Sequence, residues 1–262
     1  MVVRLILRDK LYNISNEAEK RDLLSRYKKY IEGFVQGFSE TSFKIRKIRD
    51  IDRRVELLIN GPEENFVQNI LKAEVGSVRR FDELKVGDTL KGTMVEVGEV
   101  GFGLFLDCGI IEPHSDVLLP LFTLREQLAG ETKKSLNEII HAFDFIEHFP
   151  LMVQITKIDP EERNIEAKIA PETLDIYTKI MNEGIEGLIL CGETKGQYKK
   201  ALIREGHLQD IISLKRYGFL EHLALLTSNT SAPGVIAEIG KYLPKCKFAV
   251  INPHRIRKLQ KE

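Results

Sequence analysis

The sequence predicts an α+β chain of several domains. A mixed segment spans residues 1–80, a strand-rich segment with a helical insertion spans 81–170, and a small α/β unit spans 171–262. Three observations carry this. Apolar spacing switches repeatedly between helical and strand periods. Turn formers such as Asn60-Gly61-Pro62 and Asp159-Pro160 punctuate those switches. The 39 basic and 39 acidic residues cancel overall yet separate by segment: residues 1–80 carry a net +5, 81–170 a net −9 and 171–262 a net +4. A length of 262 residues suits two domains or three small ones.

Val2 to Leu7 reads as a strand. Asn16 is placed to cap a helix from Glu17 to about Val35, whose apolar face is Leu23, Leu24, Tyr27, Ile31, Phe34 and Val35. Two strands follow, Ser42–Arg49 and Arg53–Ile59, and Pro62 stands near the start of a second helix. The order β-α-β-β-α resembles a ferredoxin-like half-sandwich lacking, or borrowing, its last strand. Lys44, Arg46, Lys47, Arg49, Arg53 and Arg54 crowd the hairpin. They read as a phosphate-binding face, or as charges guarding an edge strand against aggregation. Arg26, Lys28 and Lys29 read as an ordinary solvated helix face.

The middle segment opens with Val86-Gly87-Asp88 and a strand holding Gly92, a residue type that marks barrel bends. Gly101-Phe102-Gly103-Leu104-Phe105-Leu106 follows, then a short strand over Asp116–Pro120 and a closing hairpin over Leu151–Ile169. These phrases, in this order, resemble the S1-type OB-fold module of RNA-associated proteins. The resemblance implies that Phe102 and Phe105 lie on a ligand-binding sheet face, where bases stack on aromatic rings. As residues alone, the same rings could fill the barrel. Lys85, Lys91, Lys157 and Lys168 are the candidate phosphate contacts. Two departures stand out. The module's third strand usually carries a histidine and then a serine; here Leu119 and Leu121 occupy those places. An insertion over Thr123–Pro150 has helical spacing through Leu136, Ile139, Ile140, Phe143 and Ile146 or Glu147. Its phenylalanines Phe143, Phe145 and Phe149 are available to a neighbouring domain or a partner.

In the last segment, Pro171–Asn182 reads as a helix stopped by Gly184, Ile185–Cys191 as a buried strand, and Lys195–Glu205 as a basic amphipathic helix. The polar loop Ser228–Gly234 precedes a further helix, and Cys246–Ile251 forms a last strand. That loop either holds an anion or is an ordinary cap by Thr230 or Ser231 with Pro233 in the first turn. The tail from His254 to Lys261 reads as basic and partly frayed; Arg255, Arg257 and Lys258 are phosphate candidates there, or simply a solvated terminus.

No phrase for a nucleophile and its base, a phosphate-binding loop or a zinc protease occurs, so no catalytic residue and no cofactor are assigned. His141, Asp144 and His148 at i, i+3 and i+7 could share a helical face and a metal; a solvated helix is the preferred reading, so no metal is assigned either. Three distant cysteines and the absence of a signal-peptide layout or an apolar run of about 20 residues point to a reduced, cytoplasmic, membrane-free chain. The barrel phrases, with Arg216-Tyr217-Gly218-Phe219-Leu220-Glu221 and Ala232-Pro233-Gly234, resemble an uncharacterised archaeal family that joins an S1-like barrel to α/β segments. The layout also resembles, in a different order, the alpha subunit of archaeal initiation factor two. The resemblance implies a non-enzymatic protein that binds RNA or a ribonucleoprotein in translation or RNA processing. Because the barrel is acidic and phosphates repel acid, an alternative is a module that binds a basic partner such as a ribosomal protein. A third is an RNA-modifying or nucleotide-handling enzyme that uses the Ser228–Gly234 loop.

Overall fold

Alternation of buried and exposed residues makes β1 (Val2–Lys10). It is followed by α1 (Glu17–Val35), β2 (Ser42–Ile48), β3 (Arg54–Asn60) and α2 (Glu64–Glu74). Asn16 caps α1 by accepting from the amides of Ala18 and Glu19. Pro62 lies just ahead of α2, outside its first turn. The three strands form an antiparallel sheet in the order β1-β3-β2. Leu5, Leu7, Val55, Leu57 and Ile59 bury against Tyr27, Ile31, Val67 and Leu71 of the helices. Beyond α2 the chain returns along the free edge of β1, where Leu7 bridges Ser77. In this computed structural model, residues 2–130 and 133–261 are described. The insertion expected over 123–150 includes residues 131 and 132, and the outer segments reach residues 1 and 262, all outside the described residues.

Two compact units result: Met1–Arg79 with Gly218–Leu220, and Arg80–Tyr217 with Glu221–Glu262. Within the first, Phe219 is 3% exposed. Its ring meets Tyr27 edge-on at 4.7 Å and Tyr30 at 5.3 Å. The buried Asp9 carboxylate accepts from the Phe219 amide and the Tyr27 hydroxyl. Gly218-Phe219-Leu220 is thus a core piece of the N-terminal unit, while Tyr217 belongs to the core of the second.

The second unit begins with the short β4 (Arg79–Arg80) at the boundary, then β5 (Thr89–Val95), β6 (Gly103–Ile111) and β7 (Ser115–Pro120). Helices α3 (Leu121–Leu128) and α4 (Leu136–Phe143) precede β8 (Pro150–Asp159) and β9 (Asn164–Ile169). The order β4-β6-β5-β8-β9-β7, with β6 also paired to β7, closes five strands into an OB-like barrel. Of its pairings, β7 with β9 is parallel. Alternate residues point inward, among them Met94, Leu104, Leu106, Val117, Leu119, Val153 and Ile165. Glycine is required where strands meet most closely: a Cβ on Gly103 would lie 2.5 Å from the Leu119 carbonyl oxygen, and one on Gly92 2.6 Å from Cys108 Sγ.

The insertion differs from its expected form. It is two short helices, and α4 stops at Phe143 instead of running to Ile146 or Glu147. Asp144 turns left-handed, with φ at 54°, and its carboxylate accepts from the Val250 amide at 2.6 Å. That distant partner ends the helix, so the His141–Asp144–His148 face does not form. Phe143, Phe145 and Phe149 are buried: Phe143 stacks on Phe145 and tilts against Tyr177, and Phe145 meets Phe149 edge-on.

The remainder is α5 (Pro171–Glu183), β10 (Gly187–Cys191), α6 (Lys195–Arg204), β11 (Ile211–Arg216), β12 (Glu221–Leu226), α7 (Ala232–Ile239), β13 (Lys247–Ile251) and α8 (Pro253–Lys261). The antiparallel sheet order is β11-β12-β10-β13. The run β10-α6-β11-β12-α7-β13 therefore has its first strand beside its third and its third beside its second. That is the arrangement of β1, β2 and β3, a correspondence the sequence does not display. The tail is not frayed: α8 buries Ile256 and Leu259.

Truncating Phe219 removes the ring joining Tyr27 and Tyr30. Phe219→Ala is expected to cost about 3–5 kcal/mol, read as a lowered urea midpoint for the N-terminal unit. A second expectation concerns pH. His222 on β12 is fully buried, and burial pushes its pKa down to about 3, against an opposing hydrogen bond to the Glu193 carbonyl. The neutral imidazole is the folded form. Its contribution is complete above the unfolded value of about 6.5 and is lost as pH falls from there toward 3. The wild type should lose stability steadily between pH 6.5 and 4, and His222→Gln should flatten that slope; an unchanged slope would show that the histidine is not responsible.

Candidate nucleic-acid interface

The outer face of β6 begins at Phe102, whose side chain is 57% exposed. Its backbone is held, because its carbonyl accepts from the Leu121 amide at 2.8 Å. Phe105 lies half-buried on the outward side of β6, between the inward Leu104 and Leu106. The two rings meet edge to face at 5.9 Å and 88°, a favoured aromatic geometry. Neither ring fills the barrel.

Strand register decides what surrounds them. Phe105 stands opposite Leu118 on β7 and Val95 on β5. Leu118 stands opposite Glu166 on β9, and Glu166 opposite Lys157 on β8. Lys157 lies 3.7 Å from the Glu166 carboxylate, a pair that is weak where the lysine is exposed. Lys168 is exposed in a different row, opposite Gln154, which is itself opposite Thr89. Lys85 is exposed in the turn before β5. Lys91 donates to the Tyr217 carbonyl, a structural contact in place of the expected phosphate contact. The four lysines therefore make no continuous stripe beside Phe105.

Acid gathers there instead. Donor atoms of Asp107, His114 and Asp116 lie within 4.8 Å of one another. Asp107, two residues beyond Phe105, is buried and accepts from the Gly109 amide at 2.8 Å. An imidazole with two carboxylates is a donor set suited to divalent transition metals. The sequence reading passed over this trio. Its signal is strand pairing across β6 and β7, and no helical spacing reveals it. Leu118, the apolar neighbour of Phe105, was missed for the same reason.

The basic hairpin of the N-terminal unit is split in role. Arg46 binds the Glu56 carboxylate, as Arg4 does at 2.6 Å. Burial alone would raise the Glu56 pKa, but the hydrogen bonds from Arg46 and Arg4 outweigh it and hold the carboxyl below its ordinary value. Arg49 lies 3.3 Å from Asp52. Lys44 and Lys47 are exposed and have no ion-pair partner among the described residues. A β-bulge between Ile45 and Lys47 resets the alternation, which explains why consecutive Arg46 and Lys47 are both exposed.

Two of the three C-terminal candidates, Arg255 and Arg257, make contacts within the fold. Arg255 donates to the carbonyls of Val250 and His141 and lies 3.7 Å from Asp144. Arg257 donates to the Met181 carbonyl. These long-range carbonyls, with the burial of Ile256 and Leu259, turn an expected loose basic tail into a docked helix. Lys258 shares that helix. The Ser228–Gly234 loop also finds an internal partner. Ser231 occupies the N-cap position of α7 without a side-chain cap; the Glu186 carboxylate accepts the Ala232 amide at 2.6 Å and the Asn252 side chain. A carboxylate already sits where an anion would bind.

The fold and its outer face define a protein built on an OB-like barrel with α+β segments on either side of it in sequence. The DUF2110 central domain matches residues 84–181 and the DUF2110 C-terminal domain matches 186–251. The chain belongs to the DUF2110 family, a family of unknown function. No curated protein matches it. Similar solved structures include the uncharacterized protein MJ1198 from Methanocaldococcus jannaschii, at 18% identity over 34% of this chain and 95% of that one, with a TM-score of 0.23. GSP13 from Bacillus subtilis aligns at 16% identity over 34% of this chain and 58% of that one, with a TM-score of 0.25. The intact alpha subunit of aIF2 from Pyrococcus abyssi aligns at 9% identity over 64% of this chain and 97% of that one, with a TM-score of 0.25. The fold stands on the strand pairing described above. Among the described residues, no helix is long and apolar enough to cross a membrane.

If Arg255 and Arg257 hold backbone carbonyls, removing them should cost stability alone. Arg255→Ala and Arg257→Ala are each expected to lower unfolding free energy by roughly 1.5–3 kcal/mol. Affinity for nucleic acid, measured at one salt concentration, should stay at the wild-type value.

Proposed function

We propose that this protein binds single-stranded RNA without catalysing a reaction, and that its barrel is an S1-type module. The observation that carries this reading is the aromatic pair on the outer face of the barrel: Phe102 exposed just before β6, with its carbonyl held by Leu121, and Phe105 beside it on the strand. Stacking on such rings contributes about 1–3 kcal/mol per base and tolerates any sequence. The three-part division at 1–80, 81–170 and 171–262 belongs to the same reading, with a ferredoxin-like N-terminal part. Exposed Lys85 and Lys168 supply secondary phosphate contacts, and a ribonucleoprotein in the cytoplasm is the natural setting.

One observation favours a second reading. Asp107 follows Phe105 by two residues on β6, and Glu166 stands opposite Leu118, the β7 partner of Phe105, so the same apolar patch could take a basic segment of a protein such as a ribosomal protein. Separate titrations distinguish the two. With a uridine 20-mer, Phe102→Ala/Phe105→Ala should weaken binding about tenfold or more, given roughly 1.4 kcal/mol per tenfold. An oligolysine peptide, titrated with no RNA present because it binds phosphates itself, should bind the protein weakly. Unchanged RNA affinity in the double variant, together with tight, phenylalanine-dependent peptide binding, favours the protein partner.

A further inference from the structure

The N-terminal unit contains an open groove between α1 and the edge strand β2, with a volume of about 520 Å³. Lys20, Arg21 and Lys28 line it from the helix, and Arg46 and Lys47 from the strand. Leu24, Ile45 and Ile48 also line it and give it apolar surface. No acidic side chain is among its lining residues. Lys28 is the surprise, because it reads as part of an ordinary solvated face in sequence. Positions 20, 24 and 28 fall on one side of a helix, and the β2 bulge turns two consecutive cations outward against them.

We propose that this groove holds a run of phosphates, supplied by the backbone of RNA; the source of those phosphates rests on the RNA-binding reading above. Eight residues separate Lys20 from Lys28, about 12 Å along the axis at about 1.5 Å per residue. That is the axial length of roughly three to four stacked nucleotides at about 3.4 Å each. Internal pairing leaves the groove competent. Lys20 and Lys28 touch exposed carboxylates of their own helix, Glu17 at 3.1 Å and Glu32 at 3.6 Å, and such pairs are weak and readily exchanged. Arg46 is committed to Glu56, so its part is to shape the wall. Lys47 has no ion-pair partner among the described residues. The helix terminus does not take part: Asn16 already caps α1, and Glu17 and Glu19 occupy its first turn. Cations above an apolar floor suit a ligand that alternates charge with flat apolar surface, as a nucleotide chain does.

The test uses the full chain and a uridine 20-mer, with affinity measured across a range of salt. Each phosphate contact contributes about 0.7 to the slope of log affinity against log salt for a single strand. Lys28→Gln/Lys47→Gln should lower the slope by about 1.4 and weaken binding several-fold. Lys72→Gln, on the exposed surface of α2 outside the groove, should leave the slope unchanged. An unchanged slope in the groove variant, or an equal loss in Lys72→Gln, overturns the proposal. The two readings fail separately. If Phe102→Ala/Phe105→Ala has no effect while the groove variant lowers the slope, the barrel reading falls and the groove stands. If the wild type ignores the 20-mer but binds inorganic tripolyphosphate in a Lys28- and Lys47-dependent way, RNA falls as the source and the phosphate site stands. Binding of neither, or tighter binding of an oligoglutamate peptide than of either, overturns the groove.

Discussion

Closure of the barrel is the constraint on which the site depends. Strand β6 must pair with β5 on one edge and β7 on the other, and β7 must reach β9 in parallel. The closest approach is at Gly103, beside the Leu119 carbonyl, where no side chain fits. Once closed, the register leaves no choice about faces: Leu104 and Leu106 point inward, and Phe105 must point out. The same pairing holds the Phe102 carbonyl on Leu121 and so presents the exposed ring on a fixed backbone. An aromatic platform prepared in this way loses little conformational freedom when a base stacks on it.

The charge pattern acquires a physical meaning from the structure. A net of −9 in the barrel segment is not evenly spread, since Asp107 and Asp116 stand close together on β6 and β7 while Glu166 lies 3.7 Å from Lys157. Lysines that might have offset the acid are drawn into structural contacts or fall in other rows. The basic N-terminal segment also differs from a uniform coat. Some of its arginines hold buried carboxylates, as Arg4 and Arg46 hold Glu56. What remains for a ligand is concentrated between α1 and β2.

Much of this was legible in the residues. The alternation of Gly101 to Leu106, the turn at Asp159-Pro160 and the Asn16 cap are local signals, and each became the expected element. What escaped the sequence depends on distant partners. Asp144 ends α4 because Val250 meets it; nothing in residues 136–149 announces that. Arg255 and Arg257 look like solvent-facing charge until their carbonyl partners, as much as 114 residues away, are known. The Arg216–Glu221 phrase was visible as a motif, but the burial of Phe219 against Tyr27 and Tyr30 is a tertiary fact. Lys28, read as solvated, became part of a groove wall only when the edge strand was placed beside it.

The most direct measurement of the central claim is where RNA touches the barrel. A 20-mer carrying 4-thiouridine, photocrosslinked to the full chain and mapped by mass spectrometry, should attach to the peptide around Phe102 and Phe105. Crosslinks that avoid this peptide while occurring elsewhere on the chain would contradict the claim that the aromatic face of the barrel is where bases stack.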